Sequence, residues 1–244
     1  MVATTWGRRL PNTDNARIRA LKTAIEKSNT FFSQNVITLD IYKLQHLLRN
    51  FETAQVRYRD SLEVQATANR KFQRLVKNAR LYISHFIQVF NFSVIRNEIK
   101  KEVKQLYGID PSDFTIPDLT SNDSLLFWGE NIIKGEQTRI SQGGTPIYNP
   151  TIARVNVAFS LFKDAYFAQK TYQNTTSRQL ESLSQQREDI DATLTLVWNQ
   201  IEKAFASLPP KERLERCKEY GVVYYLRKEE KEKFENQTDR NENY

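Results

Sequence analysis

The chain of 244 residues has few of the residues that build disulfides or metal sites, with one cysteine and two histidines. Cys217 has no partner for an intramolecular disulfide, and its three-residue spacing from Leu214 and Tyr220 predicts a buried, unreactive thiol. His46 and His85 lie far apart, and neither follows a glutamate three residues earlier, as a carboxylate-bridged metal bundle requires. We therefore predict no metal ion and no cofactor.

Phosphate-binding loops, catalytic elbows and long apolar runs are missing too. The only glycine pair, Gly143–Gly144, lacks the spacing of either nucleotide-binding loop, so it predicts a turn. There is no Gly-x-Ser-x-Gly motif, and enzyme activity is not predicted. No segment approaches the roughly 18 uncharged apolar residues of a membrane span, and Met1–Leu10 has no signal-peptide core. We accordingly expect a cytoplasmic protein without a membrane span.

Glycine and proline are scarce and unevenly placed. Of the seven glycines and seven prolines, nine lie between Gly108 and Pro150, whereas residues 12–107 and 151–208 contain none. Inside a helix proline costs about 3 kcal/mol and glycine about 1 kcal/mol. The distribution predicts two helical arms joined by a connector over residues 108–150.

Apolar residues recur at alternating steps of three and four in both arms. The first pattern runs from Leu44 to Phe90 and predicts one helix from about residue 39, after a cap at Thr38, to about residue 106, stopped by Gly108. A shorter helix, closing near Gln34, precedes it. Polar seam residues at 65–69 leave a break open as an alternative.

The second arm shows the same alternation from Ile152 to Ile201. It predicts a helix with Asn149 as N-cap and Pro150 at the first helical position, ending at Leu208–Pro209. A polar stretch at 169–176 leaves a break open here as well. Beyond it we expect a short C-terminal helix and an extended segment within 209–227, then a charged, disordered tail over 228–244.

The apolar residues predict two cores and an all-α fold. One core, next to the connector, joins 81–95, 152–168 and a short connector helix capped within 121–124. The other contains Phe51, Leu194, Trp198 and Ile201. We predict an elongated antiparallel helical bundle with coiled-coil-like seams, formed as a single domain over residues 1–208.

The net charge of +7 comes from the first arm. Residues 1–107 hold 19 Lys and Arg against 8 Asp and Glu, which gives +11, whereas residues 108–150 hold 2 against 6, which gives −4. Outward helical positions carry Arg70, Lys71, Arg74 and Lys77, a candidate interaction surface for phosphates or an acidic partner. The alternative is a solvated face without a partner.

A candidate connector pocket combines an aromatic residue, two acids and a base. Its members are Trp128, Glu130, Glu136, Arg139 and Tyr148. Irregular segments on a rigid scaffold often carry functional groups. The alternative is that Glu136 and Arg139 form a surface pair while Trp128 fills the core next to the connector.

Two segments resemble an uncharacterised family of bacterial helical-bundle proteins. They are GEQTRISQGGTPIYNP at 135–150 and LPPKERLERCKEYGVVYYLRK at 208–228, with Gly-Glu-x-x-Arg, Pro-Ile-Tyr-Asn-Pro and Glu-Tyr-Gly-Val-Val motifs. The resemblance spans roughly residues 70–228 and implies a helical fold. It implies no catalytic residue, because no activity is assigned to that family.

Three functions remain from the sequence. The first is a non-enzymatic interaction or scaffolding protein that binds a protein partner or itself, and that loses assembly when a seam residue such as Phe86 or Phe159 becomes charged. The second is a nucleic-acid-binding protein, motivated by the basic first arm and a pI near 9.4. The third is a small-molecule binder or enzyme with its site in the connector.

Overall fold

The computed structural model describes residues 7–32 and 40–225, with the backbone alone for residues 28–32. It is an all-α helical bundle, which confirms the predicted fold class. Its elements, in chain order, are β1 Gly7–Arg8, α1 Asp14–Phe32, α2 Ile41–Ile95, a 3-10 helix Lys101–Tyr107, α3 Asn122–Ser141, α4 Ile152–Ala204, α5 Pro210–Glu219 and β2 Tyr224–Tyr225.

The long helices α2 and α4 are antiparallel and unbroken. Ser61 of α2 lies opposite Thr176 of α4, whose hydroxyl donates to the Ser61 carbonyl. Further along α2, the Phe72 ring stacks on that of Phe162, which comes earlier in α4. Residues 65–69 and 169–176 are helical throughout, so the polar seam segments break neither helix. A polar layer therefore lies within continuous helices.

The chain divides into two compact units. The first unit comprises Met1–Arg59 with Arg178–Tyr244, and the second comprises Asp60–Ser177. In the first unit, α1 packs against the start of α2 and the end of α4. Its core includes Leu21, Phe51, Leu194, Trp198 and Ile201, as the apolar pattern predicted.

Ion pairs and a two-stranded sheet connect the segments of the first unit. Arg187 binds the Asp14 carboxylate through two hydrogen bonds of 2.7 and 2.8 Å, and these lower the pKa of Asp14. Strand β1 pairs antiparallel with β2, which confirms the extended segment near the C-terminus. Cys217 is fully buried, and burial raises the pKa of its thiol, as the prediction of an unreactive cysteine requires.

The second unit contains the core predicted next to the connector. It joins α2, α4 and α3 around buried aromatic and aliphatic side chains, among them Ile83, Phe86, Phe90, Leu125, Ile132, Phe159 and Phe162. The loop before α3 is held to α2, because Asn91 donates to the Phe114 carbonyl and Arg80 donates to those of Leu119 and Thr120.

The helix predicted to reach residue 106 ends at Ile95, so that boundary was wrong. Asn97 takes the left-handed conformation with φ of 60°. The amide of Asn97 donates to the Val94 carbonyl and that of Glu98 to the Ser93 carbonyl, which together form a Schellman motif. Because Asn tolerates this conformation, the helix stops without a glycine. The chain then turns into the 3-10 helix, which buries Lys104 and Tyr107.

The connector helix is longer than predicted, because two glycines lie inside α3. Ser121 caps it as expected, accepting from the Ser124 amide at 3.0 Å. A Cβ atom at Gly129 would lie 2.2 Å from the Phe159 ring, and one at Gly135 would lie 2.6 Å from the Tyr107 ring. Both glycines therefore permit close packing rather than ending the helix.

The start of α4 also differs from the prediction. The N-cap is Thr151, whose hydroxyl accepts from the Arg154 amide at 3.4 Å, and helical structure begins at Ile152. The predicted cap, Asn149, precedes a cis peptide bond to Pro150. The cap expected at Thr38, the helix end expected near Gln34 and the predicted tail 228–244 lie outside the described residues.

Gly129→Ala tests whether close packing outweighs helix propensity. Alanine gains about 1 kcal/mol of helix propensity over glycine, but overpacking a core costs about 1–3 kcal/mol. Because the added methyl would overlap the Phe159 ring, we expect a net loss of about 1 kcal/mol or more in the free energy of unfolding, measured by urea denaturation. Gln137→Ala, at an exposed position of α3, is the control and should change stability by less than about 0.5 kcal/mol. A more stable Gly129→Ala protein would contradict the packing argument.

Candidate functional site

Two residues of the candidate connector pocket, Glu136 and Arg139, form an ion pair inside the second unit. Their side chains are 0% and 6% exposed. Arg139 binds the carboxylate in a bidentate manner, with Nε 2.8 Å from Oε2 and Nη2 2.8 Å from Oε1. The pair forms at the predicted i,i+3 spacing, but it is buried, so the alternative of a surface pair was wrong.

Tyr107 and the turn after α3 complete the network around this pair. The Tyr107 hydroxyl donates to Glu136 Oε2 at 2.5 Å, and the Ile147 amide donates to Oε1 at 3.2 Å. Nη2 of Arg139 also donates to the Thr145 carbonyl at 2.8 Å. The network therefore ties together the 3-10 helix, α3 and the turn that follows α3.

Burial changes the acid–base properties of this network. It raises the pKa of Tyr107 far above its usual value, and the hydrogen bond to Glu136 acts in the same direction. Burial by itself lowers the pKa of Arg139, but the hydrogen bond and the charge of Glu136 outweigh that effect, so the pKa is raised. Tyr107 therefore stays protonated and Arg139 stays charged at neutral pH, which suits a structural role.

A cleft of about 780 Å³ opens beside the network in the second unit. Residues from the end of α2, the 3-10 helix and the turn after α3 line it, including Arg96, Glu98, Lys100, Arg139, Gly144 and Tyr148. Arg96 and Glu98 form an exposed ion pair at 2.7 Å. The cleft therefore has a charged rim.

The other members of the candidate pocket lie in different places. Tyr148 is 76% exposed and lines the cleft with Arg139. Trp128 packs partly buried against the core, and Glu130 pairs with Lys163 at 2.6 Å; neither lines the cleft. The structure thus joins Glu136 with Arg139, and Arg139 with Tyr148, but does not gather the five residues into one site.

Sequence reasoning missed three residues of this region. Tyr107 follows the helix that is predicted to end near residue 106, and no spacing in the sequence connects it to Glu136. The Schellman motif at the end of α2 sets the positions of Arg96 and Lys100. In the sequence, only Asn97 indicates that motif.

The predicted basic residues lie on an exposed face of α2. Arg70, Lys71, Arg74 and Lys77 are all exposed, and within the described residues none has an acidic partner. Residues on this face continue along the same helix in steps of three or four, within an arc of about 80°. We call this face the outward stripe of α2; it comprises Arg70, Arg74, Lys77, Leu81, His85, Gln88, Phe92 and Ile95.

The outward stripe changes from basic to apolar along the helix. Leu81, Phe92 and Ile95 are 64%, 57% and 57% exposed. On α4, Val157 and Leu161 are likewise 61% and 50% exposed and lie one helical turn apart. Exposed apolar residues that share one helix face are typical of interaction surfaces.

Neither a metal site nor a membrane helix is found in the described part of the chain. Residues 7–32 and 40–225 contain no group of three or more His, Cys, Asp or Glu side chains placed to hold a metal ion. Within the same ranges, no helix combines the length and apolar character needed to cross a bilayer.

Comparison with protein-family models, curated proteins and solved structures finds no match to this chain. The resemblance to bacterial helical-bundle proteins therefore stays a prediction.

Removing one member of the buried pair should destabilise the protein strongly. An uncompensated buried charge costs about 3–5 kcal/mol, so Glu136→Ala and Arg139→Ala should each lower the free energy of unfolding by about that amount in urea denaturation. The control is the exposed Arg96–Glu98 pair, which has the same residue types and similar bidentate bonds. Arg96→Ala and Glu98→Ala should cost less than about 1 kcal/mol. Equal losses at both pairs would contradict the structural role.

Proposed function

We propose that this chain is a non-enzymatic helical interaction protein that binds a protein partner, or a second copy of itself, through the outward stripe of α2. The observation that carries the proposal is the exposure of Leu81, Phe92 and Ile95 on one helix face. Water contact at large apolar side chains is unfavourable by about 25 cal/mol per Å², so covering them favours association. Their common face suits a partner helix laid along α2.

The basic half of the outward stripe specifies the chemistry of that partner. Arg70, Arg74 and Lys77 have no acidic neighbour in the described residues, so their charge is available to a partner. A partner whose binding surface combines apolar side chains with an acidic segment would complement both the apolar and the basic half of the outward stripe. The buried Glu136–Arg139 pair supports a non-enzymatic function, because the two charges neutralise each other and hold the fold together.

The interaction surface differs from the seam residues named in the sequence analysis. Phe86 and Phe159 are 0% and 4% exposed and belong to the core of the second unit. Charging either one would disrupt that core and could not distinguish assembly from folding. The exposed members of the outward stripe are the appropriate targets.

Leu81→Glu combined with Phe92→Glu should abolish association without unfolding the protein. The change places two charges on the apolar half of the outward stripe, where a partner would have to bury them. We expect sedimentation equilibrium to show loss of self-association by the double variant. In the native cell, where the photo-crosslinker itself occupies position 92, Leu81→Glu alone should remove the protein adduct.

Leu196 provides the control for this experiment, because it is also 64% exposed but lies on α4 in the first unit. Leu196→Glu should leave association unchanged, and a photo-crosslinker at position 196 should not give the same adduct. A wild-type protein that is monomeric and gives no adduct from position 92 would overturn the proposal.

A second candidate function is nucleic-acid binding, favoured by the four exposed basic residues at 70, 71, 74 and 77. No acidic residue occurs between Glu63 and Glu98, so the helix segment around them is uniformly basic. Such a surface can bind phosphates with release of counterions. Phosphate binding accounts for the basic half of the outward stripe and leaves its apolar half unexplained, which is why we rank it second.

Arg74→Glu with Lys77→Glu should eliminate any retardation of DNA or RNA in a gel-shift assay. Each lost phosphate contact reduces the slope of log affinity against log salt by about 0.9. The control is Lys101→Glu with Lys134→Glu, an equal charge reversal at exposed sites outside the outward stripe. If micromolar wild-type protein produces no shift at about 50 mM salt, nucleic-acid binding is excluded.

A further inference from the structure

The cleft beside the buried network has the composition of a ligand site. Its volume of about 780 Å³ lies within the range of small-molecule pockets, about 300–1,000 Å³. Val89, Val103 and Ile147 contribute apolar surface, whereas Arg96, Lys100 and Arg139 contribute cationic groups. Apolar walls with a few placed polar groups are typical of sites for small organic molecules.

Arg139 has one guanidinium nitrogen that the protein leaves unused. Its Nε binds Glu136 and the Tyr107 hydroxyl, and its Nη2 binds Glu136 and the Thr145 carbonyl. Nη1 makes no hydrogen bond within the described residues, although Arg139 is only 5% exposed. Nη1 lies next to Gly144, which lines the cleft together with Arg139, so we place Nη1 at the cleft wall.

The absence of a side chain at Gly144 leaves space next to Nη1 of Arg139. The turn after α3 is a Schellman motif in which the Gly144 amide donates to the Arg139 carbonyl at 3.0 Å. A Cβ atom at position 144 would lie 2.8 Å from Nη1 of Arg139. The missing side chain therefore lets the turn approach Arg139 without a Cβ atom pressed against Nη1.

The charged groups around the cleft favour an anion. Arg96 is paired with Glu98, but Lys100 is exposed and has no acidic partner in the described residues. The charge of Arg139 is balanced by Glu136 beneath it, so Lys100 supplies the net positive charge of the site. Buried Nη1 adds directional donors, and Lys100 adds charge at the rim.

We propose that this cleft binds a small organic oxyanion. A carboxylate or phosphate group accepts hydrogen bonds from Nη1 of Arg139 and is attracted by Lys100, while an apolar body covers Val89, Val103 and Ile147. Both head groups share the required chemistry, since each presents anionic oxygen acceptors. This site is independent of the outward stripe of α2, so either proposal can fail without the other.

The probes are benzoate, phenyl phosphate and the neutral benzamide, added to isotope-labelled full-length protein and followed by NMR. We add them up to about millimolar concentrations, because fragments of this size make few contacts. We expect at least one anion to shift the amide signals of residues 143–149 and the Arg139 Nε signal, with benzamide weaker by about tenfold. The anion that binds more tightly identifies the head group. No shift with either anion, or equal shifts with benzamide, would overturn the proposal.

Lys100→Glu and Lys101→Glu provide a matched pair of variants. Both residues are exposed and adjacent in the sequence, but only Lys100 lines the cleft. Lys100→Glu should weaken binding of the tighter anion about tenfold, whereas Lys101→Glu should leave it nearly unchanged. We avoid replacing Arg139 because that would break the buried pair. Equal effects of the two variants would show that the anion responds to overall charge and would refute the site.

Discussion

The second unit depends on one buried ion pair, that of Glu136 and Arg139. Two charges removed from water are tolerated only when their hydrogen-bonding groups are well satisfied. Glu136 accepts from Arg139 of its own helix, from the Tyr107 hydroxyl and from the Ile147 amide, so the 3-10 helix and the turn after α3 must both reach it. This requirement explains why the chain folds back after Ile95 into a 3-10 helix instead of extending α2. It also explains why the turn after α3 is held tightly to the helix that precedes it.

Close approach of backbones is the second constraint. Gly129 and Gly135 bring α3 against the Phe159 and Tyr107 rings, and Gly144 brings the turn against Arg139. In each case the missing side chain creates space for a neighbour. At Gly144, as at Gly129 and Gly135, the absence of a side chain leaves room for a neighbouring group, here Nη1 of Arg139. The buried network therefore borders the cleft and supplies a hydrogen-bond donor to it.

The surfaces of α2 and of the cleft differ in what they can recognise. The outward stripe of α2 is long and combines Arg74 and Lys77 with Leu81 and Phe92, which suits an extended protein partner. The cleft is concave and combines Nη1 of Arg139 with Lys100, which has no acidic partner in the part of the chain that the structure describes; this combination suits a small anion. Both proposals arise from groups that folding leaves unused: apolar side chains on one surface, and a guanidinium nitrogen on the other.

The sequence by itself determined the all-α fold, the two cores and the exposure of the basic residues on α2. Helical periodicity and the absence of glycine and proline act locally, so they can be read without tertiary contacts. Tertiary structure alone decided the end of α2 at Ile95, the placement of Gly129 and Gly135 inside a helix, and the burial of Glu136 with Arg139. Those features depend on which distant group lies opposite each residue. Glu136 and Arg139 have the same i,i+3 spacing whether their pair lies on the surface or in the core. The pair is buried because Tyr107, 29 residues from Glu136 in the sequence, packs against it and donates a hydrogen bond to Glu136.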